Sequence, residues 1–398
     1  MVREIPDDVQ RWTAKRRVAL VVSILKGETS VAEAARKVGA DWALLSSTDA
    51  VCYATQHTGV IETGTSPLAG GPSLAFVSAD GSVVALLVNN LEESGASAAA
   101  ADQVVTYVGI GLGERSPVEV RYRAAVERAL AEFDVGGIVA GEAATLPWLV
   151  ADALAERGAR VVTIDRELDR ARSTKTAAEV ERLRFCAALT DAGQRAALEG
   201  ARPGRSELEI WAEVRLAMEL TAGERIPVAG DLTSGVANTG AISGWPTDRV
   251  VQEGEPILCD LAPRANGYWG DSCNTIFVGE PGPAFMKLYT TTQRSIEVVR
   301  EALRPGVTGA EFDRTVRAVF EDAGLNNPLH TAHGVGTGVH EWPRLVPDQD
   351  VVLEEGMVLM VEPGAYDPEV GGVRLEWMYL VTATGNEVLS GFPHALHA

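Results

Sequence analysis

The chain has few cysteines, a deficit of positive charge and no long apolar run, and each shortage removes a class of protein. Its four cysteines, Cys52, Cys186, Cys259 and Cys273, show no CxxC spacing, so they read as reduced cytosolic thiols rather than as a disulfide framework. Lys and Arg number 35 against 55 Asp and Glu, a net charge of -20, which sets aside nucleic acid and anionic membranes as general partners. No apolar stretch reaches the ~18–20 residues of a membrane span. Val18 to Leu25 follows Arg16-Arg17 as in a signal peptide, but Lys26 ends the run early and no small-residue cleavage site follows. A cytoplasmic location is the resulting expectation. What remains, 46% hydrophobic and 23% charged residues over 398 positions, is ordinary for a globular protein and long enough for two domains.

Alternating elements fill the N-terminal segment. Trp42–Ser46, Leu74–Val77, Val83–Val88, Val104–Gly109, Gly137–Ala140 and Arg160–Ile164 read as strands, with a hairpin at Asp80-Gly81. Pro117–Glu132 and Leu146–Glu156 read as helices. The expectation is an α/β domain over residues 1–165, a mixed sheet with helices on its faces and no chemistry of its own. Within it, residues 11–37 resemble the first two helices of transposase-type helix-turn-helix segments, the second capped by Thr29 or Ser30. Residues 166–175 are polar and without apolar periodicity, which marks a linker. Residues 176–398 then read as an α+β domain. A helix from Ala177 to Gly200, Pro203-Gly204 and a helix opened by Ser206-x-x-Glu209 are echoed by Pro305-Gly306 and Thr308-x-x-Glu311, a weak internal duplication.

The chemistry lies in that C-terminal segment. Asp260 and Asp271 stand eleven positions apart between apolar strands, on either side of Asn266-Gly267, a hairpin signal that sets their carboxylates side by side. Carboxylates that close repel unless one is protonated or a cation intervenes. Cys259 and Cys273 flank them as buried strand residues. Three further stretches carry similar donors: His333-Gly-Val-Gly-Thr-Gly-Val-His340-Glu341, whose glycines let backbone approach a ligand, Glu362 at the end of an apolar strand, and Arg374 and Glu376 on one face of another. Four carboxylates and an imidazole suit Mn²⁺, Co²⁺ or Zn²⁺ rather than a thiolate-seeking metal. That much negative charge is better balanced by two divalent ions than by one, with Asp271 and Glu376 as bridges. Such ions make water a nucleophile at neutral pH, so hydrolysis of a C–N bond follows.

These stations, with the words Gly-Met-Val, Val-Glu-Pro-Gly and Gly-Val-Arg-Leu-Glu, resemble the pita-bread metallopeptidase family of aminopeptidase P, prolidase and creatinase, from about Ala34 to the C-terminus. The resemblance implies a creatinase-like N-terminal domain, a pita-bread catalytic domain, a homodimer and two metal ions, Mn²⁺ foremost with Co²⁺ or Zn²⁺ as alternatives. It implies Asp260, Asp271, His333, Glu362 and Glu376 as ligands, with Asp260 on one ion and His333 on the other. Glu362 would also handle protons, and His340 would meet substrate and the developing oxyanion. Arg374 is expected to hold a ligand carboxylate.

The departures from the pattern are Ser243 where the family's peptidases place a histidine, Asn274 in place of an arginine, Trp377 in place of an aspartate, and His330 one position out of register. Ser243, His330 and Trp377 are candidate substrate contacts, and Trp245, Trp269, Trp342 and Trp377 a candidate aromatic wall. His57 is a candidate to reach a partner subunit's site, while His394 and His397 read as solvated tail residues. The leading expectation is an Xaa-Pro peptidase acting on a small peptide or amide. A creatinase-like or other non-peptide C–N hydrolase is the alternative, and a non-catalytic binding protein a further one.

Overall fold

A computed structural model of the chain describes residues 30–59, 69–109, 111, 113 and 116–397. Residues 11–29 of the helix-turn-helix-like stretch thus lie outside the described residues. The helix Val31–Lys37 follows them, capped by Ser30, whose hydroxyl accepts from the Glu33 N–H at 3.2 Å.

The first sheet contains β1 (Trp42–Leu45), β2 (Leu74–Ser78), β3 (Val84–Asn89), β4 (Gln103–Tyr107), β5 (Ile138–Gly141) and β6 (Arg160–Thr163), in the order β4-β3-β2-β1-β5-β6. β1 pairs antiparallel with β2, and β2 with β3, while β3–β4, β1–β5 and β5–β6 are parallel, giving the mixed sheet expected. Alternation along β1 and β2 splits the core. Leu44, Leu74 and Phe76 pack with the helices Val118–Glu132 and Trp148–Glu156, and Ala43, Leu45, Ala75 and Val77 with Val31–Lys37 and Thr48–Thr55.

Residues 166–175 are not an irregular linker: most of them form the helix Asp165–Ser173. Asp165 and Glu167 in its first turn and Arg170 and Arg172 in its last complement the helix dipole, and Leu168 alone anchors it in the core. Charge placement, not apolar periodicity, specifies this helix. His57 is buried and shares a 2.7 Å hydrogen bond with Glu92, so it does not reach outward.

Beyond residue 175, a pair of helices, Ala177–Gly200 with Glu207–Ala222, is matched by another, Pro283–Ala302 with Gly309–Asp322, and each pair is joined through Pro-Gly with the glycine at positive φ. Ser206 and Glu209 form a reciprocal capping box, while Thr308 caps its helix by accepting from the Glu311 N–H. Each capping residue also bridges to a later strand-like residue, Ser206 to Val250 and Thr308 to Val352, so the duplication has a structural counterpart. Ser206→Ala is expected to lower stability by about 1 kcal/mol, read as a lower melting midpoint.

The strands between and after these helices are β7 (Val228–Ser234), β8 (Glu255–Ala265), β9 (Tyr268–Trp269), β10 (Cys273–Val278), β11 (Ala332–Gly334), β12 (Glu341–Leu345), β13 (Val358–Val361), β14 (Gly364–Asp367), β15 (Gly371–Arg374), β16 (Trp377–Val381) and β17 (Asn386–Val388). They form the orders β10-β8-β7, with β9 beside β8, and β12-β11-β13-β16-β17, and the pair β14-β15. A bridge between Cys273 and Glu376 stitches the first two sheets together at the point where the acids gather. Among the described residues no helix is long and apolar enough to cross a membrane.

Candidate metal centre

Asn266 and Gly267 both adopt positive φ, 51° and 82°, and turn β8 into β9 as a tight hairpin. The register runs unbroken from Arg264 opposite Trp269 to Asp260 opposite Cys273, which sets Asp271 level with Ala262. Asp260 and Asp271 are therefore diagonal neighbours on one face. Glu376 enters beside Cys273, where its N–H donates to the Cys273 carbonyl at 2.9 Å. The strand expected to carry Arg374 and Glu376 is broken between β15 and β16, yet both side chains turn to the aspartates: Arg374 Nη2 donates to Asp260 Oδ2, and ligand atoms of Asp260, Asp271 and Glu376 lie within 4.8 Å of one another.

Facing this trio, His333 in β11 and Glu362 just after β13 complete the group. His333 Nε2 stands 3.3 Å from Glu362 Oε1, 3.7 Å from Asp271 Oδ2 and 4.0 Å from Glu376 Oε1. Its Nδ1 faces the Gly334 carbonyl at 2.9 Å, which assigns the proton to Nδ1 and leaves Nε2 bare as a ligand atom. His330 Nε2 lies 2.5 Å from Glu362 Oε1, and Arg344 Nε donates to His330 Nδ1 at 3.1 Å. The five side chains expected as ligands thus converge, and with His330 and His340 they form three overlapping clusters among the described residues, Asp260–Asp271–Glu376, His330–His333–Glu362 and Asp271–His333–His340.

The electrostatics of this group fit a cation-binding site. Burial pushes the Asp271 and Glu376 carboxyls far above the usual carboxylate range, and their acidic neighbours add to it. Burial likewise lifts Asp260 to about 6 against the opposing pull of Arg374. Burial lowers His333 to about 4, keeping the imidazole neutral. Glu362 goes the other way: the His330 hydrogen bond and nearby positive charge, that of Arg374 included, overcome burial and hold it at about 2. Glu376 Oε2 is buried with no partner among the described residues. A buried oxygen without a donor, beside carboxylates that cannot all ionise together, fits divalent metal ions held by these donors.

The other site candidates divide into rim and support. His340 is exposed, with its ring 4.6 Å from that of His333, so it borders the open side. Ser243 is exposed in the loop after Ile242 and makes no hydrogen bond to the five among the described residues. Trp377 is not a substrate wall. Its Nε1 donates to the Phe392 carbonyl at 3.1 Å and its ring stacks on His394 at 4.0 Å. His394 is correspondingly not a solvated tail residue, and its Nε2 approaches the Glu376 carbonyl at 3.3 Å. Asn274 faces away from the ligands, because Cys273 faces them, and it donates to the Ala395 carbonyl at 3.0 Å. Trp245 is exposed, and Trp269 is buried beneath Arg264, so the four tryptophans form no common wall.

The glycines of the His333–His340 loop serve packing rather than ligand approach. A Cβ on Gly336 would lie 2.5 Å from the Glu341 carboxylate, and one on Gly338 2.9 Å from Asp49 Oδ2. Glu341 fills this space: it accepts from Gly338 N–H at 2.9 Å and Lys175 Nζ at 2.8 Å, and from Arg172.

Comparison with known proteins gives the same reading. The chain is 31% identical over 229 residues to the Xaa-Pro dipeptidase of Pyrococcus furiosus, covering 57% of this chain and 66% of that protein. It is 33% identical over 250 residues to the probable dipeptidase PepE of Mycobacterium tuberculosis, covering 62% and 65%. These matches span just under two thirds of the relatives' length. Solved structures share the fold over more of the chain. For the prolidase from Pyrococcus furiosus the TM-score is 0.75 at 25% identity, over 91% of this chain and 100% of the other. For the Xaa-Pro dipeptidase from Bacillus anthracis it is 0.78 at 24% identity, over 95% and 99%. The expected pita-bread architecture is therefore the one present. The model of metallopeptidase family M24 matches residues 181–383, the span that holds all five converging side chains, and the chain belongs to that family.

Proposed function

We propose that this chain is a metal-dependent Xaa-Pro peptidase that cleaves the amide bond before proline in a small peptide. The observation that carries the reading is the convergence of Asp260, Asp271, His333, Glu362 and Glu376, with Glu376 Oε2 buried and without a hydrogen-bond partner among the described residues. Two divalent ions held there, Mn²⁺ first among them with Co²⁺ or Zn²⁺ as alternatives, would polarise the substrate carbonyl and make water nucleophilic at neutral pH. The chain's own groups do the rest. Arg374 fixes Asp260 through its hydrogen bond. His330 orients Glu362, which accepts the proton of the attacking water and passes it towards the leaving nitrogen. His340, on the open side, donates to the oxygen that gains charge in the tetrahedral state. The same reading includes a homodimer in the cytoplasm, and a domain division at the Asp165–Ser173 helix.

The creatinase-like alternative rests on Ser243, Asn274 and Trp377. Asn274 and Trp377 pack against the C-terminal tail behind the ligands, which leaves Ser243 alone in its favour. A screen of Xaa-Pro dipeptides and N-terminal Xaa-Pro tripeptides with Mn²⁺, Co²⁺ or Zn²⁺ is expected to show turnover of at least one class. Metal-loaded protein that cleaves neither but hydrolyses a non-peptide amide would overturn the reading.

A further inference from the structure

The Glu376 carboxylate points into the centre without a hydrogen bond to hold it there. Asp260 is gripped by Arg374 and Glu362 by His330, whereas Glu376 Oε2 is buried without a partner among the described residues. Its Oε1 is 4.0 Å from His333 Nε2, too far for a hydrogen bond. Glu376 also falls between two strands, after β15 ends at Arg374 and before β16 begins at Trp377, so only the single bridge to Cys273 pairs its main chain. The direction of this side chain is therefore set by the groups that grip its backbone.

Those groups come from two sides. On one, the Glu376 N–H donates to the Cys273 carbonyl at 2.9 Å. On the other runs the C-terminal tail. It leaves β16 where the Leu389 N–H donates to the Met378 carbonyl at 2.8 Å, and Asp191 then accepts from the N–H groups of Gly391 at 2.8 Å and Phe392 at 3.0 Å. It ends on β10, where the Phe277 N–H donates to the Leu396 carbonyl at 2.8 Å and the Asn274 amide to the Ala395 carbonyl at 3.0 Å. Leu396 is buried in the core beside Phe277. A segment tied at both ends in this way carries His394 to the back of Glu376. The His394 ring stacks on Trp377, centroids 4.0 Å apart and planes 12° apart, and Phe392 meets both rings edge-on. His394 Nε2 lies 3.3 Å from the Glu376 carbonyl, which can only accept, so the proton sits on Nε2 and this nitrogen donates.

We infer that His394 is a positioning residue for Glu376: its Nε2–H holds the Glu376 carbonyl from behind, so that the C-terminal tail sets the direction of a carboxylate that has no side-chain partner to set it. His394 touches neither substrate nor ion and acts through Glu376 alone. Trp377 fixes the plane of the donating ring, which gives that residue a role away from the substrate. The inference rests on the reading of Glu376 as a metal ligand and is independent of which amide is cleaved.

The test is Mn²⁺ binding to the full chain, followed by calorimetry, with the visible absorption of the Co²⁺-loaded protein as a second readout of ligand geometry. His394→Phe keeps a ring on Trp377 and removes the donor, while His394→Gln places an amide N–H near the position of Nε2. Loss of an outer-shell partner weakens metal binding by ~10–100-fold, and a contact to the ligand's carbonyl rather than to its carboxylate belongs at the lower end. His394→Phe is thus expected to bind Mn²⁺ about 10-fold more weakly and to shift the Co²⁺ bands, and His394→Gln to stay within about threefold of wild type with its bands in place. Melting midpoints in chelator report the fold separately. A lower midpoint with unchanged Mn²⁺ affinity in His394→Phe would show a merely structural tail and overturn the inference, as would equal losses of affinity in both variants. A wild-type protein that binds neither Mn²⁺, Co²⁺ nor Zn²⁺ would overturn the metal reading and this inference with it, whereas tight binding by wild type and both variants overturns the inference alone.

Discussion

Asp271→Asn will lower the hydrolysis of an Xaa-Pro dipeptide by more than about 100-fold, because loss of an outer-shell partner of a metal ligand already costs ~10–100-fold and Asp271 is proposed as a ligand itself. The same substitution will raise the melting midpoint of the metal-free protein. Without ions, Asp271 is a buried carboxylate whose protonation is forced by burial and by the charges of Asp260 and Glu362. Removing one member of this repelling group relieves the others. With Mn²⁺ added the order reverses, because the wild-type protein gains the binding free energy of the ions and the variant gains less of it. Thermal melts of both proteins with chelator and with Mn²⁺, beside a dipeptide assay, check the prediction. A variant that is less stable than wild type in chelator would mean that Asp271 has a structural partner and is not held for a cation. Chelation alone should silence the wild-type enzyme and Mn²⁺ should restore it.

The set of converging donors is legible in the sequence because an acid on apolar ground is costly in any setting without a cation, and five such donors in apolar or glycine-rich words have few common explanations. Asn266-Gly267 makes the first pair readable, since a two-residue hairpin of that composition fixes register as well as direction. Period-two alternation from Cys273 already places Asn274 on the far side of β10, so weighing Asn274 as a site residue stops the pattern one residue short. Other features are beyond the local sequence. Asp231 lies in Val228-Ala-Gly-Asp231-Leu-Thr-Ser234, and only the pairing of β7 with β8 brings it to Asp260. His394 and Trp377 meet through a tail whose path no periodicity announces. The helix Thr48–Thr55 escapes a reading by pattern although Ser47 caps it, because the segment is short and mixes polar with small residues. Nothing local says that the glycines at 336 and 338 make room for Glu341 and Asp49 rather than for a ligand.

That cage gives the largest expected effect on stability. Glu341 is buried, and it is the acceptor shared by Arg172 from the helix Asp165–Ser173, by Lys175 just after that helix, and by the Gly338 N–H of the loop that carries His340. Glu341→Gln leaves the Lys175 ammonium buried without its counter-charge and the Arg172 guanidinium with only the charges of Asp49 and Asp169, which is expected to cost about 3–5 kcal/mol. Burial alone would raise the Glu341 carboxyl, but Arg172 and Lys175 hold it down to about 2, below its ordinary 4.5. A carboxyl depressed on folding stabilises the folded state above its unfolded pKa, and that contribution is lost as the pH falls towards the folded value. The gap in stability between wild type and Glu341→Gln should therefore be full at neutral pH, begin to shrink near pH 4.5 and largely close towards pH 2. Lys175→Met combined with Glu341→Gln should recover some of the loss, because the second change removes a charge the first has stranded, and a double-mutant cycle would read the coupling. The activity of Glu341→Gln should fall with its stability, by up to about 100-fold at temperatures where the variant remains folded, since a loop displaced by ~1 Å would take His340 out of the position proposed for it. A variant with wild-type melting behaviour across the whole pH range would show that Arg172 and Lys175 are satisfied without Glu341, and that the N-terminal segment does not brace the catalytic loop through it.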